Sequence, residues 1–179
     1  MIGRGQGVGQ VGFTLIEILM VVAIIGIMLL AGMPSFISFI AKTRVSGAAN
    51  AFLGDISYAR SEAATRQQQV AICVSSDQAS CSTTQTWDTG RLIFVDANAD
   101  GALNAGETVL RVSQAMSSTN VTVSGFGSST LLSFRPFGGL TPATAGSITL
   151  CPTSGSHEGR IVAVAATGRP LITKKTDCP

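Results

Sequence analysis

The stretch Gly12–Phe36, GFTLIEILMVVAIIGIMLLAGMPSF, decides what the rest of the chain can be. From Phe13 to Ala41 the only charged side chain is Glu17, and the apolar run is long enough for a helix to cross a bilayer core, which takes about 20 residues. A carboxylate near the centre of such a helix costs roughly 2.5–3.5 kcal/mol, so it is tolerated mainly with a polar or charged partner. Lys42, the next cation, lies about 25 residues on, close to 40 Å of helix at about 1.5 Å per residue. The partner is therefore expected from another molecule, or from a charge created by processing.

The chain before Phe13 points to processing. MIGRGQGVGQVG is polar and glycine-rich with one arginine, so it lacks the apolar core of a secretory signal, and LLAGMPSF offers no convincing A-x-A site after the run. A cut between Gly12 and Phe13 would start the helix with a free α-ammonium, a suitable partner for Glu17 of a neighbouring subunit. Gly7, Gly9 and Gly12 also fit G-x-G-x-x-G, the bare dinucleotide fingerprint. No strand-like run precedes them and no ribose-binding acid follows about 20 residues on, so that match is set aside.

With Glu17 fifth after Gly12 and Pro34 twenty-second, the segment closely resembles the class III signal of type IV pilins and type II secretion pseudopilins. The resemblance implies cleavage after Gly12 by the prepilin peptidase and N-methylation of Phe13. It implies filament packing in which Glu17 faces the amino terminus of an adjacent subunit. It further implies a single-pass protein of the bacterial inner membrane with a periplasmic C-terminal domain, delivered to a filament by an inner-membrane assembly platform. Counting cations does not support that orientation, since Arg4 alone precedes the run while Lys42 and Arg44 follow it.

Beyond Pro34 the helix is expected to continue. Val45, Ala49, Phe52, Ile56, Ala59 and Ala63 step by three and four, while Lys42, Arg44, Asp55, Arg60, Glu62 and Arg66 mostly fall on other faces, an amphipathic half-helix for packing on a sheet. Pro34 removes one helical hydrogen bond and predicts a kink. Tyr58–Gln68, YARSEAATRQQ, resembles the ARSEA segment of the GspH/FimT group, which comprises FimT- and FimU-type minor pilins and the type II secretion H pseudopilin. Membership implies an α+β pilin fold: a long N-terminal helix, membrane-spanning then amphipathic, packed on an antiparallel two-sheet β domain. The corresponding organisation is 1–12 leader, 13–68 helix and 69–179 β domain.

The β domain is legible in its own right. VAICV, RLIFV, TVLRV, VTVSG, LLSFR, SITLC, RIVAVA and PLITK are short β-type runs, and GFGSS and FGGLTPATAG punctuate them as loops. Cys73, Cys81, Cys151 and Cys178 all follow the apolar run, and an even count in a small domain fits an oxidising compartment. Of three possible pairings, the sequence neighbours Cys73–Cys81 and Cys151–Cys178 are favoured. The formal charge is +2, or +1 once Arg4 leaves with the leader, which gives no global pull toward nucleic acid.

Three places carry candidate chemistry. Asp96, Asn98, Asp100, Gly101 and Glu107 satisfy the calcium-loop pattern D-x-[DN]-x-[DN]-G-x5-E, with oxygen ligands at alternating positions. Strand-like flanks favour a plain hairpin loop, with Ca2+ as the alternative; no cofactor is required otherwise. The C-terminal GRIVAVAATGRPLITKKTDCP resembles the end of FimT and FimU, where DNA-binding members carry G-R-x-R. Here Leu171 stands where the second arginine would be, leaving Arg169, Lys174 and Lys175. Three cations predict weak, salt-sensitive contact with double-stranded DNA, and no aromatic interleaves with them for base stacking. A solvated hairpin or a contact to another pilin is the favoured reading. His157, the sole histidine, stands in a loop without metal-ligand neighbours, and no nucleophile motif occurs, so the expectation is a protein that is not an enzyme.

The reading is thus a FimT/FimU-like minor pilin that primes pilus assembly, with other minor and major pilins, the prepilin peptidase and the assembly platform as partners. The alternatives are the type II secretion H pseudopilin and a DNA-binding pilin for uptake in natural transformation.

Overall fold

The computed structural model of the chain describes residues 12–84, 86–154, 156 and 158–178, and the side chains of residues 30–34 fall outside that description. One long helix, α1 (Leu15–Arg66), precedes all the strands. It stops at Arg66 because Gln67 takes a left-handed conformation (φ 54°), the usual way a helix is closed at its C-terminal end. Compactness divides the chain at Ile37/Ser38. The two halves of α1 therefore belong to different units, whereas the sequence places the whole helix in one segment.

In the first unit every described side chain from Phe13 to Leu29 is exposed, Phe13 by 78% and Leu15 by 80%. Over the described residues, no helix is long and apolar enough to cross a membrane. The predicted kink at Pro34 falls among the side chains outside the description, as does His157.

In the second unit the apolar stripe does what its spacing predicts: Val45, Ala49, Phe52, Ile56, Ala59 and Ala63 are all buried. They meet β1 (Val70–Val74), β2 (Arg91–Val95), β3 (Val109–Ser113), β4 (Thr119–Gly125), β5 (Leu131–Phe134), β6 (Leu140–Thr141), β7 (Gly146–Pro152), β8 (Gly159–Val164) and β9 (Pro170–Lys175). All neighbouring strands run antiparallel, in two sheets ordered β3-β2-β1-β5-β6 and β4-β7-β8-β9. The architecture is the expected α+β one, a helix on two antiparallel sheets.

In the first sheet β1 and β2 are covered on both faces, which explains why VAICV and LIFV read as unbroken apolar runs, while β3 at the edge is mostly exposed. Val70, Ile72, Val74 and Ile93 join the core under α1, while Ala71, Cys73, Leu92 and Phe94 form a second cluster beneath Cys81, Leu103 and Leu131. The Cys73–Cys81 disulfide and the loop carrying Leu103 thus act as a lid on the far face. Each fully buried Ile, Leu or Phe in these layers contributes about 1.5–3 kcal/mol of transfer free energy. Cys151–Cys178 is the second bridge and ties the chain end to β7. Trp87 lies under the helix, its ring centroid 6.0 Å from that of Phe52 and its indole N–H donating to the Ser129 carbonyl. One strand was not legible: β6 has two residues and sits inside FGGLTPATAG, a stretch that reads as loop.

Candidate functional site

The N-terminal end is built by a capping box. Thr14 precedes the first helical residue; its hydroxyl accepts the Glu17 amide at 3.3 Å, and the Glu17 carboxylate reaches back to the Thr14 amide at 3.5 Å. This reciprocal pair satisfies two amides that a helix start leaves without partners. Glu17 therefore has a modest partner within the chain, one the charge pattern alone did not reveal. Gly12 and Phe13 are exposed, non-helical and directly upstream, so the peptide bond between them is sterically open.

A charged site that the sequence did not reveal lies inside the second unit. Asp55 is 4% exposed and Arg91 1%, and the guanidinium donates twice to one carboxylate oxygen, from Nε at 3.0 Å and Nη2 at 2.6 Å. The Ser113 hydroxyl donates to the same oxygen at 2.9 Å, and Arg111 stands 3.5 Å from the other. The Arg91 guanidinium also lies 3.9 Å from the centre of the Phe52 ring. Burial pulls Arg91 below its ordinary pKa, with Asp55 working against that shift. The signal was present: Ala48, Phe52, Asp55 and Ala59 keep the same three-four spacing as the apolar stripe, so Asp55 faces the core.

The loop between β2 and β3 closes on its own amides. Asp96, fully buried, accepts from the amides of Asp100 (3.1 Å) and Gly101 (3.0 Å) and from the Gln69 side chain (2.8 Å). Glu107 accepts from the amides of Ala97 and Asn104 at 2.8 and 2.9 Å. Asp100 takes the Ala102 amide and the side-chain amides of Asn98 and Asn104, and the Ala102 amide leads in holding its carboxyl below the usual carboxylate range. Among the described residues no three Asp, Glu, His or Cys side chains converge as a metal cluster would require. Asp96, Asn98, Asp100 and Glu107 thus tie the hairpin loop together through hydrogen bonds of their side chains.

The C-terminal cations are drawn apart. Arg169 stands in the turn between β8 and β9, whereas Lys174 and Lys175 end β9, roughly 16 Å away at about 3.3 Å per residue. Strand alternation also sends Lys174 and Lys175 to opposite faces, so the three cations do not make one patch. Arg169 instead neighbours a second turn, residues 135–139 between β5 and β6. Gly168 (φ 75°) lies against the Gly138 carbonyl so closely that a Cβ would collide with it. On the helix side, Arg60 Nε donates to that carbonyl at 3.1 Å. The two turns and α1 thus place Arg60, Arg135 and the 89% exposed Phe137 at one corner, while Arg169 lines the adjoining surface with Pro170 and Leu171.

Comparison with known proteins agrees with this architecture. Residues 48–168 match the family model described as Type II transport protein GspH. Two crystal forms of the type IV minor pilin FimU from Pseudomonas aeruginosa PAO1 are similar in structure, at 20% sequence identity each. One gives a TM-score of 0.55 over 76% of this chain and 96% of that one, the other 0.53 over 75% and 99%. At that identity the likeness is one of fold. No curated protein matches the sequence.

Proposed function

Because the chain belongs to the family of Type II transport protein GspH, within the type IV pilins and pseudopilins, we propose that it is a minor pilin that primes assembly of a pilus. The observation that carries this reading is the first half of α1: a sleeve of exposed apolar side chains, headed by Gly12, Phe13 and a capped Glu17. Such a surface is stable only when covered by lipid or by other apolar helices. In this reading the chain waits in the inner membrane with its disulfide-bonded domain on the periplasmic side. The prepilin peptidase removes residues 1–12, Phe13 is methylated, and the assembly platform moves the chain into the filament. There the new ammonium of a neighbour takes over Glu17 from the Thr14 amide. The contact given up is long, at 3.5 Å, and the ammonium brings a full opposite charge in its place. The role is structural, with other minor and major pilins as partners and no catalysis.

The family model's description favours a second reading, the H pseudopilin of a type II secretion machine, which uses the same processing and the same fold. One experiment separates them: surface pilin is measured in a strain lacking this gene and the retraction motor, beside the export of secreted enzymes. Loss of pili with normal export supports the pilus role, and the reverse supports the secretion role. Normal values of both overturn the proposal.

A further inference from the structure

We propose that the turn carrying Phe137 is a docking knob for a neighbouring pilin-type subunit, which receives it in an apolar pocket rimmed by carboxylates. The inference rests on the assembly role above and assigns it a surface.

Phe137 is the most exposed large apolar side chain described in the second unit, at 89%. Single exposed apolar residues are ordinary, but this one is held out by a built support. The Gly138 amide donates to the Arg135 carbonyl at 2.7 Å and the Arg135 amide to the Gly139 carbonyl at 2.8 Å. Leu140 is bonded to the Ala166 carbonyl at 2.9 Å, Arg60 fixes the Gly138 carbonyl, and Gly168 packs against it. A side chain displayed on a braced turn loses little freedom on docking, which is how a small contact becomes a strong one.

Its surroundings name the partner's chemistry. A shallow groove on one side is lined by Arg60, Ala64 and Pro170, and one on the other by Arg135, Ala143 and Ala166. The apolar edge continues from Pro170 to Leu171, 62% exposed. Among the described residues, Arg60 and Arg135 in these grooves and Arg169 beside Pro170 have no carboxylate partner, and neither do Arg44, Arg160, Lys174 and Lys175. Of these, only Arg60 and Arg135 share a groove with the exposed Phe137. An aromatic anchor set among arginines is the composition of interface hot spots, and unpaired cations select an acidic face. A nucleic acid fits less well. One phenylalanine on a convex tip is no stacking platform, and Lys174 and Lys175 lie at the other end of β9.

The test places a photo-crosslinking phenylalanine analogue at position 137 of the full chain in its own strain, with adducts identified by mass spectrometry. The expected adduct joins position 137 to an Asp- or Glu-bearing peptide of another pilin-type subunit and disappears in the R135Q/R169Q variant. Phe137→Ala should lower filament incorporation about tenfold or more, as loss of a hot-spot side chain does. Its thermal unfolding, followed by the fluorescence of Trp87, should be unchanged. Adducts to nucleic acid or lipid, no adduct, or normal incorporation of both variants overturn the proposal. If deletion of the gene abolishes filaments while Phe137→Ala makes them normally, docking fails and the assembly role stands. If deletion itself has no effect on filaments or export, both fall.

Discussion

Glu17 and Asp55 are carboxylates on the same helix, each set among apolar side chains, and they are satisfied in opposite ways. Asp55 is closed in by Arg91, Arg111 and Ser113, so its charge is balanced wholly within the chain. Glu17 stays exposed, with one long contact to the Thr14 amide. The difference lies in what faces each carboxylate: β2 and β3 bring cations to Asp55, and no described cation stands beside Glu17.

The largest effect should come from removing the unbalanced charge. Glu17→Ala is expected to abolish incorporation into filaments while leaving the unfolding of the second unit as it was, because Glu17 contacts nothing beyond the first turn of α1. Loss of stability together with loss of assembly would break the contrast. Asp55→Ala should do the reverse, costing about 3–5 kcal/mol in urea unfolding because it strands a buried arginine. The double change Asp55→Leu with Arg91→Met should recover much of that loss, since a buried pair exchanged for apolar side chains is often neutral.

The loop carboxylates sharpen the comparison with smaller effects. Asp100→Asn should lower the melting temperature slightly and equally with or without calcium, because the hydrogen bonds it weakens are internal to the loop. A calcium-dependent difference would instead support the cation reading for Asp96, Asn98, Asp100 and Glu107. Asp77 is the smallest case. The Ser80 hydroxyl first, then the amides of Ala79 and Ser80, hold its carboxyl well below the usual range. The unfolded chain therefore binds this proton first as pH falls, so the stabilisation is complete above about pH 5, one unit over the unfolded value, and is lost as pH falls toward the lowered native value. Melting curves of wild type and Asp77→Asn should stay a constant distance apart from neutral pH down to about pH 5 and converge at lower pH.

Much of the fold was legible because apolar spacing carries it. Val45 to Ala63 and the runs at Val70, Arg91, Leu131 and Ser147 became core elements, each within a residue or so of where its pattern predicts. The two disulfides join the favoured sequence neighbours. What stayed hidden required contacts between distant segments. Asp55 reads as a solvent-facing charge until Arg91 arrives from 36 residues away. Arg169, Lys174 and Lys175 look like one cluster along the chain, yet an extended strand separates them. Phe137 and Arg60 meet only in space, in a groove built by the turn at Gly138.

The packing of α1 has a mechanical consequence. From Val45 to Ala63 the helix is bound side-on, so a pull on its N-terminal end runs along the contact surface. Such a load is shared at once by the stripe, by Phe52 against Trp87 and by the Asp55–Arg91 pair, and none of them can be peeled off first. Tension applied along the helix from Val45 to Ala63 therefore meets the sheets in shear, the direction in which a long row of weak contacts is hardest to break.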